Sequence, residues 1–467
     1  MPAATVGRPA PETEAGARIW ALILLLALLP LPFGGARPWA GAAFAVAVGL
    51  MLAVWSLRCA VAGRPGAIPL RRLAAEGLLL ALLAGWIAFQ GLSLTPAAWH
   101  HPIWDEAATA LSTEPVGAIS VDPARSFTAL ATLLGHASLF WLVLQAGREP
   151  GRAHRLLAAL VAIGTAYAAY GLTMELSGAG LVLWFEKWAY HGDITATFVN
   201  RNSFATYAGL CLLAAIGLLA RQLLRHDGKQ APRRERLLRR IQALAGRGSL
   251  LLGAVAILAT ALLLSHSRAG MVSTGIGIAV FLIVFLLNPG QRRGRRLPVA
   301  AAVFLALLAV TNFSGEGTLL RLRATEFETG NGRFPVYALM QRAIADSPHL
   351  GFGYGTFERT FPLYRTADVA IRFDRGHNDW LESAMDLGLP GAALLIGLFA
   401  LPFLRCLRAG LTRRRDGLYP ALACGATALV ATHALLDFSL QIPAVAATFT
   451  ALLALGVAQS WSSRLDG

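Results

Sequence analysis

Charge is scarce in this 467-residue chain: 14% of residues are Asp, Glu, Lys or Arg and 56% are hydrophobic, against roughly 25% charged in soluble domains. That balance excludes an ordinary soluble domain and indicates a polytopic membrane protein. Cysteine is scarce too. Cys211 and Cys424 fall within apolar runs, Cys59 and Cys406 at their ends, and no Cys-x-x-Cys pair occurs, so neither a disulfide framework nor a thiolate metal pair is implied. Asp-x-Asp is absent, which removes the usual paired-carboxylate signature of metal-dependent glycosyl or phosphoryl transfer. The nearest approach, Glu326-Phe327-Glu328, shares its stretch with Arg321 and Arg323 and reads as a solvated loop face. No internal repeat shows a clear period.

Long apolar runs are abundant. Runs near 19–35, 38–57, 74–94, 126–146, 155–174, 204–222, 249–265, 270–288, 298–312, 387–405, 418–436 and 444–460 are long enough to cross a ~30 Å hydrocarbon core as helix. The expected fold class is therefore an all-α polytopic membrane protein of about twelve transmembrane helices. Its organisation is a membrane domain over 1–312, a long, partly helical loop over 313–386 and a second membrane segment over 387–467. Glu12 and Glu14 spoil a basic leader before the first run, which reads as a retained helix. The net charge of +15 is concentrated in alternate loops, at Arg58 to Arg72, Arg148 to Arg155, Arg221 to Arg247, Arg292 to Arg296 and Arg405 to Arg415. These loops are expected to face the cytoplasm with both termini, in contact with the lipid bilayer and not with nucleic acid. Loops 95–125, 175–203, 265–269, 313–386 and 437–443 then share the opposite face.

The richest polar stretch is Gly376-His377-Asn378-Asp379-Trp380-Leu381-Glu382. An imidazole there can take a proton near neutral pH, with Asp379 or Glu382 as the carboxylate to orient it. The alternative is a histidine that merely caps a helix on the bilayer surface. Val336, Leu339, Met340 and Ala343 recur at helical spacing, predicting an amphipathic helix over 334–345, and a second short helix is expected over 378–386. Gly351-Phe352-Gly353-Tyr354-Gly355 has no strand–helix unit around it, so it reads as a tight turn rather than a nucleotide loop. Two further polar sites open helices: Asn200-Arg201-Asn202 and Ser265-His266-Ser267-Arg268. Guanidinium groups at a membrane rim suit a pyrophosphate, but they also snorkel, or pair with a carboxylate such as Glu175 or Glu186. His266 shares its turn with Arg268. His100, His101, His136, His191, His349 and His433 carry only a structural reading. Trp99, Trp104, Asp105 and Glu106 fit either an interfacial aromatic belt or contact with sugar, and Arg359, Arg365, Arg372 and Arg375 fit no pattern.

Asn200-Arg201-Asn202-Ser203-Phe204-Ala205, Ser267-Arg268-Ala269-Gly270, Gly332-Arg333, Pro348, the Gly351-x-Gly353-x-Gly355-x-Phe357 turn and His377-Asn378-Asp379 with Leu381, Glu382, Gly388 and Gly391 follow one another in order. This set closely resembles the O-antigen ligase and O-antigen polymerase superfamily. The resemblance implies a GT-C-like bacterial inner-membrane glycosyltransferase acting on the periplasmic side. Its donor would be a glycan on undecaprenyl pyrophosphate, its acceptor a hydroxyl of a glycolipid, glycan or protein, and it would need no cofactor and, as a ligase, no metal. In that frame Arg201 and Arg268 hold the pyrophosphate, Arg333 joins them, and His377 deprotonates the acceptor for one inverting displacement. Asn200, Asn202, His266, Asn378, Asp379, Glu382, Gly353 and Gly355 would complete the substrate-binding set.

Ligation to lipid A core, polymerisation of repeat units and transfer to a protein serine share this chemistry. One dominant loop favours a ligase, because a polymerase must also seat a second lipid-linked glycan. A transporter or flippase of lipid-linked sugar is the rival class. It would call for ionisable groups near the bilayer midplane, where only His136 and His433 are candidates, and for broken helices in paired halves. A non-catalytic scaffold would leave the His377 constellation without purpose.

Overall fold

The computed structural model describes residues 12–63, 65–113, 116–225, 246–289, 333–367, 369, 372–413 and 417–461. Among them run helices α1 (Glu12–Leu28), α2 (Pro38–Val61), α3 (Ala74–Gly91), α4 (Ile103–Leu111), α5 (Pro123–Ala146), α6 (Pro150–Leu176), α7 (Arg201–Arg225), α8 (Arg247–Leu264), α9 (Arg268–Leu287), α10 (Arg333–Asp346), α11 (Phe357–Tyr364), α12 (Asp379–Thr412), α13 (Leu418–His433) and α14 (Pro443–Ala458). Seven of the described helices are long and apolar enough to cross a membrane, and four shorter apolar ones accompany them. Together these eleven fall on eleven of the expected runs. The remaining run, 298–312, lies outside the described residues, as do Gly332, the Glu326–Glu328 pair and the boundary at 312.

Local chemistry sets several helix starts. Pro38, Pro123 and Pro150 occupy first-turn positions, where the missing N–H costs nothing. Asp122, Ser267 and Asn378 cap α5, α9 and α12 with side-chain oxygens that accept backbone N–H bonds. The predicted helix over 334–345 is α10, and its four periodic residues are all buried. The predicted break after 386 is present as well: Gly388 (φ 69°) interrupts α12, separating a short segment that starts at Asp379 from the long apolar part.

Tertiary packing is built on α7, α13 and α14, whose surfaces are almost wholly covered. Small residues let the backbones close in. A Cβ on Gly277 of α9 would meet the Gly425 carbonyl of α13 at 2.8 Å, and one on Gly164 of α6 would overlap Cys211 of α7, the close approach that membrane helices use in place of a hydrophobic drive. Helices α2, α3 and α5 lie outside, and Leu50, Leu57, Leu78 and Leu82 remain exposed on them. Such an apolar exterior is what a bilayer covers.

Loops sort onto two ends of the bundle. At one end Gln145 is bonded to both backbone groups of Ile68, Gln459 reaches Gly147, Arg148 reaches Trp461, and Arg405 clasps Glu76 at 2.7 Å. These contacts gather the described parts of three basic loops, those of Arg58 to Arg72, Arg148 to Arg155 and Arg405 to Arg415. At the other end Val121 donates to the Phe352 carbonyl, Ile194 to Leu264 and Asp379 to Ala434. These bonds join loop 95–125 to the described part of loop 313–386, loop 175–203 to the end of α8, and the head of α12 to the end of α13.

Candidate active site

Three of the sequence motifs converge at the second end. Ser267 Oγ donates to Asn202 Oδ1 at 2.7 Å, and Asn202 N–H donates to Asn200 Oδ1 at 2.7 Å, locking the start of α9 against the start of α7. Thr206 of α7 donates to Ser439 at 3.1 Å and so ties in the loop between α13 and α14. Gln441 of that loop donates to Asp379 Oδ1 at 2.8 Å, bringing in the head of α12.

His377 stands immediately before the α12 cap with a left-handed backbone (φ 50°). Its Nδ1 lies 3.0 Å from Asp437 Oδ1. Rings on two sides hold the imidazole, Phe438 at 4.9 Å and Phe373 at 6.2 Å, and Tyr337 Oη donates to the His377 carbonyl at 2.7 Å. The orienting carboxylate is therefore Asp437, not Asp379 or Glu382. Those two are committed elsewhere: Asp379 to Gln441, and Glu382 to the Gly376 N–H at 2.7 Å with Arg375 beside it at 3.7 Å.

Asp437 has no exposed side-chain surface. Burial opposes its charge, but the His377 hydrogen bond and the neighbouring His433, His377 and Arg333 outweigh burial and hold the carboxyl below its ordinary value. An ionised carboxylate can only accept, so His377 Nδ1 carries the proton and Nε2 is left as the basic nitrogen. His433, whose carbonyl accepts the N–H groups of Leu436 and Asp437, thus lies within this cluster.

A second carboxylate organises the cations. Asp193 receives Arg201 Nη1 on one oxygen at 2.8 Å and faces His266 Nδ1 with the other at 2.8 Å. The Arg201 guanidinium also lies over the Tyr190 ring, 5.5 Å from its centroid. Burial and then Asp437 push the Tyr190 phenol above its ordinary value, against Arg201 and Arg333, with Asp193 adding to the rise. Tyr190 thus lies within electrostatic reach of all four charges. Tyr190 (φ 56°), His266 (φ 50°) and His377 (φ 50°) all hold left-handed backbone, a strain of about 1–3 kcal/mol per residue that concentrates at functional sites.

Arg201, Arg268 and Arg333 are each the first residue of a helix, and Arg333 donates to the Leu436 carbonyl, next to Asp437. A cation at a helix N-terminus faces the positive end of the dipole, an arrangement unfavourable by about 0.3–1 kcal/mol. The starts of α7 and α9, bonded through Asn202 and Ser267, form a setting that an anion relieves.

The glycine turn lies at the rim. Its backbone packs on α12: Phe352 and Gly353 N–H donate to the Asp386 carbonyl, Gly355 N–H to Asp386 Oδ2 at 2.8 Å, and a Cβ on Gly351 (φ 64°) would fall 2.4 Å from Gly388 N. Gly353 abuts Ser120, while Gly355 borders a cavity. Asn378 spends its side-chain oxygen on the Trp380 and Leu381 N–H groups as the α12 cap. Of the unassigned arginines, Arg359 approaches Asp122 at 3.5 Å and Arg372 pairs with Glu358 at 2.8 Å, joined there by Arg125 at 2.6 Å. They form an ion network at this rim.

The cavity, about 1240 Å³, adjoins the cluster but is not lined by His377, Asp437 or the three helix-opening arginines. It touches the cluster through Tyr190, Asn200, Phe438 and Asp379 and runs along α5, α12 and α14 past Leu133, Ala137, Leu395 and Phe449 as far as Glu76.

Asp437, Asp193 and Tyr190 were absent from the sequence reading. Asp437 lies 60 residues from His377 and Asp193 73 from His266, while Asp193 and Tyr190 approach Arg201 from the irregular segment just before α7, where no periodicity links them. No curated protein matches the chain. Residues 253–396 match the family model described as O-antigen ligase. The matched segment holds Arg268, Arg333, the glycine turn and His377, whereas Arg201, Asp193, Tyr190 and Asp437 lie outside it. Over residues 253–396 the chain is thus similar to the O-antigen ligase family, in agreement with the superfamily that the motifs resemble.

Proposed function

We propose that the protein is a periplasm-facing, inverting glycosyltransferase of the ligase type in the bacterial inner membrane. It moves an oligo- or polysaccharide from undecaprenyl pyrophosphate to an acceptor hydroxyl. The observation that carries this reading is the half-buried His377 paired with the fully buried Asp437, with Arg333 bonded next to Asp437 and Arg201 and Arg268 opening α7 and α9. His377 Nε2 takes the proton of the acceptor hydroxyl as its oxygen attacks the anomeric carbon, and Asp437 stabilises the imidazolium that forms. The anomeric C–O bond to pyrophosphate breaks, and its electron pair leaves with undecaprenyl pyrophosphate. Arg201, Arg268 and Arg333 face the charge that develops there, with Asp193 steering Arg201 and His266. The apolar length of the cavity suits a polyprenyl or acyl chain. The motifs imply no metal, and no step described here uses one.

The test compares wild type with His377→Ala and Arg268→Ala in cells lacking the native protein, at equal membrane abundance, with product and lipid-linked donor resolved together. Loss of product with build-up of donor is expected. Full transfer by both variants would move the site elsewhere.

A further inference from the structure

One wall of the cavity has no part in the steps above. Asp379, Glu382 and Asp386 succeed one another on a single face of α12 at intervals of three and four residues, and all three line the cavity. They are at least nine-tenths buried, with relative exposures of 8%, 3% and 2%. Asp379 Oδ2 and Asp386 Oδ1 have no hydrogen-bond partner among the described residues, although buried polar atoms are nearly always satisfied. The cation set against this face is Arg375, at 3.7 Å from Glu382. Trp380, Tyr354 and Phe438 line the same part of the cavity.

We propose that this α12 wall binds the hydroxyls of a neutral saccharide belonging to a glycolipid whose chain occupies the apolar remainder of the cavity. The proposal rests on the transferase reading above and locates the sugar within it. Carboxyl oxygens without a partner match the hydroxyls of a sugar, which both donate and accept. The α12 wall sets a single guanidinium, Arg375, beside its three carboxyl groups, so a neutral sugar fits it better than a phosphate. The seven steps from Asp379 to Asp386 rise about 10 Å along the helix, the length of a disaccharide. Among the described residues the acidic groups form no cluster fit for a metal ion. Aromatic rings beside carboxylates offer both the faces and the acceptors that a sugar ring presents for recognition. The two polar regions then divide the work: arginines for the pyrophosphate, the acidic wall for uncharged sugar.

The experiment uses the full-length protein in lipid nanodiscs and a diazirine-bearing alkyl maltoside as the probe, with labelled peptides read by mass spectrometry. Labelling should map to the segment containing 379–386, compete with plain alkyl maltoside, resist the alkyl phosphate of equal chain length, and fall roughly tenfold in Asp379→Asn and Asp386→Asn, as loss of a buried hydrogen bond predicts. Asparagine keeps an oxygen for Gln441 at the first position and for the Gly355 N–H at the second, and Glu382→Gln replaces either variant that fails to accumulate. His377→Ala should retain labelling while losing transfer, which separates this site from the chemistry. With matched substrates, a rise in acceptor KM at unchanged kcat assigns the sugar to the acceptor, and a rise in donor KM to the donor glycan. Equal competition by the alkyl phosphate, or wild-type labelling in the variants, would overturn the proposal. So would a fall in kcat with both KM values unchanged.

Discussion

Replacing Asp437 with asparagine removes the charge behind His377 while leaving volume almost unchanged. In the wild type the carboxylate accepts from Nδ1 at 3.0 Å and from the Phe438 N–H at 2.9 Å through the same oxygen. One atom serves both contacts: with its oxygen there asparagine keeps the Nδ1–H tautomer but loses the charge that stabilises the imidazolium, and with its amide N–H there it moves the ring proton to Nε2 and confronts the Phe438 N–H. The loss should equal the general-base contribution, about 10²- to 10⁴-fold in kcat, or roughly 3–5 kcal/mol of barrier at about 1.4 kcal/mol per tenfold. Donor KM should hold, because Arg201, Arg268 and Arg333 keep their places. The assay is transfer from a lipid-linked donor in membranes of matched protein content, with kcat and KM determined separately. An Asp437→Asn enzyme with unchanged kcat would refute the assignment of His377 as an Asp437-oriented base, and a rise in donor KM alone would recast Asp437 as a binding residue.

Further outcomes follow from the same geometry. The Asp437 carboxyl is held below its ordinary value of 3.8, so it stabilises the fold when ionised. That stability is complete above about pH 5 and is lost as pH falls through the native value. Thermal unfolding in detergent should therefore show a steeper acid loss for wild type than for Asp437→Asn, and parallel curves would contradict the assignment. Asp193→Asn should loosen Arg201 and His266 together, raising donor KM about tenfold, the cost of one charge-assisted hydrogen bond; an unaffected KM would mean that Asp193 steers neither group. Arg201→Lys keeps the charge but loses the planar fork, so it should raise donor KM less than Arg201→Ala does, and equal effects would argue against bidentate phosphate contact. Gly351→Ala should lower membrane abundance and melting temperature. Its Cβ would meet Gly388 N at 2.4 Å in a left-handed backbone, a cost of at least ~1–3 kcal/mol, and wild-type stability would show that the glycine turn yields.

Local physics was readable from the chain alone. Hydrophobic run length located eleven described apolar helices, helical spacing located α10, and glycine with proline located the break at Gly388. Each of these depends on residues within one or two turns of one another. The alternation of basic and polar loops likewise anticipated the two ends of the bundle, because each apolar helix returns the chain to the opposite end. Proximity across the chain was not readable. His377 meets Asp437 60 residues away, and Asp193 meets His266 73 residues away, so no periodicity or spacing could pair them. The nearby carboxylates Asp379 and Glu382 were the expected partners, but the α12 helix carries them past His377 and onto the cavity wall. Composition and pattern thus determined that the chain is a helical membrane protein with His377 and the arginines on one face. Only the packing of α7, α9, α12 and α13 decided which carboxylates hold them, since burial and direction at a site are set by whichever helices happen to end beside it.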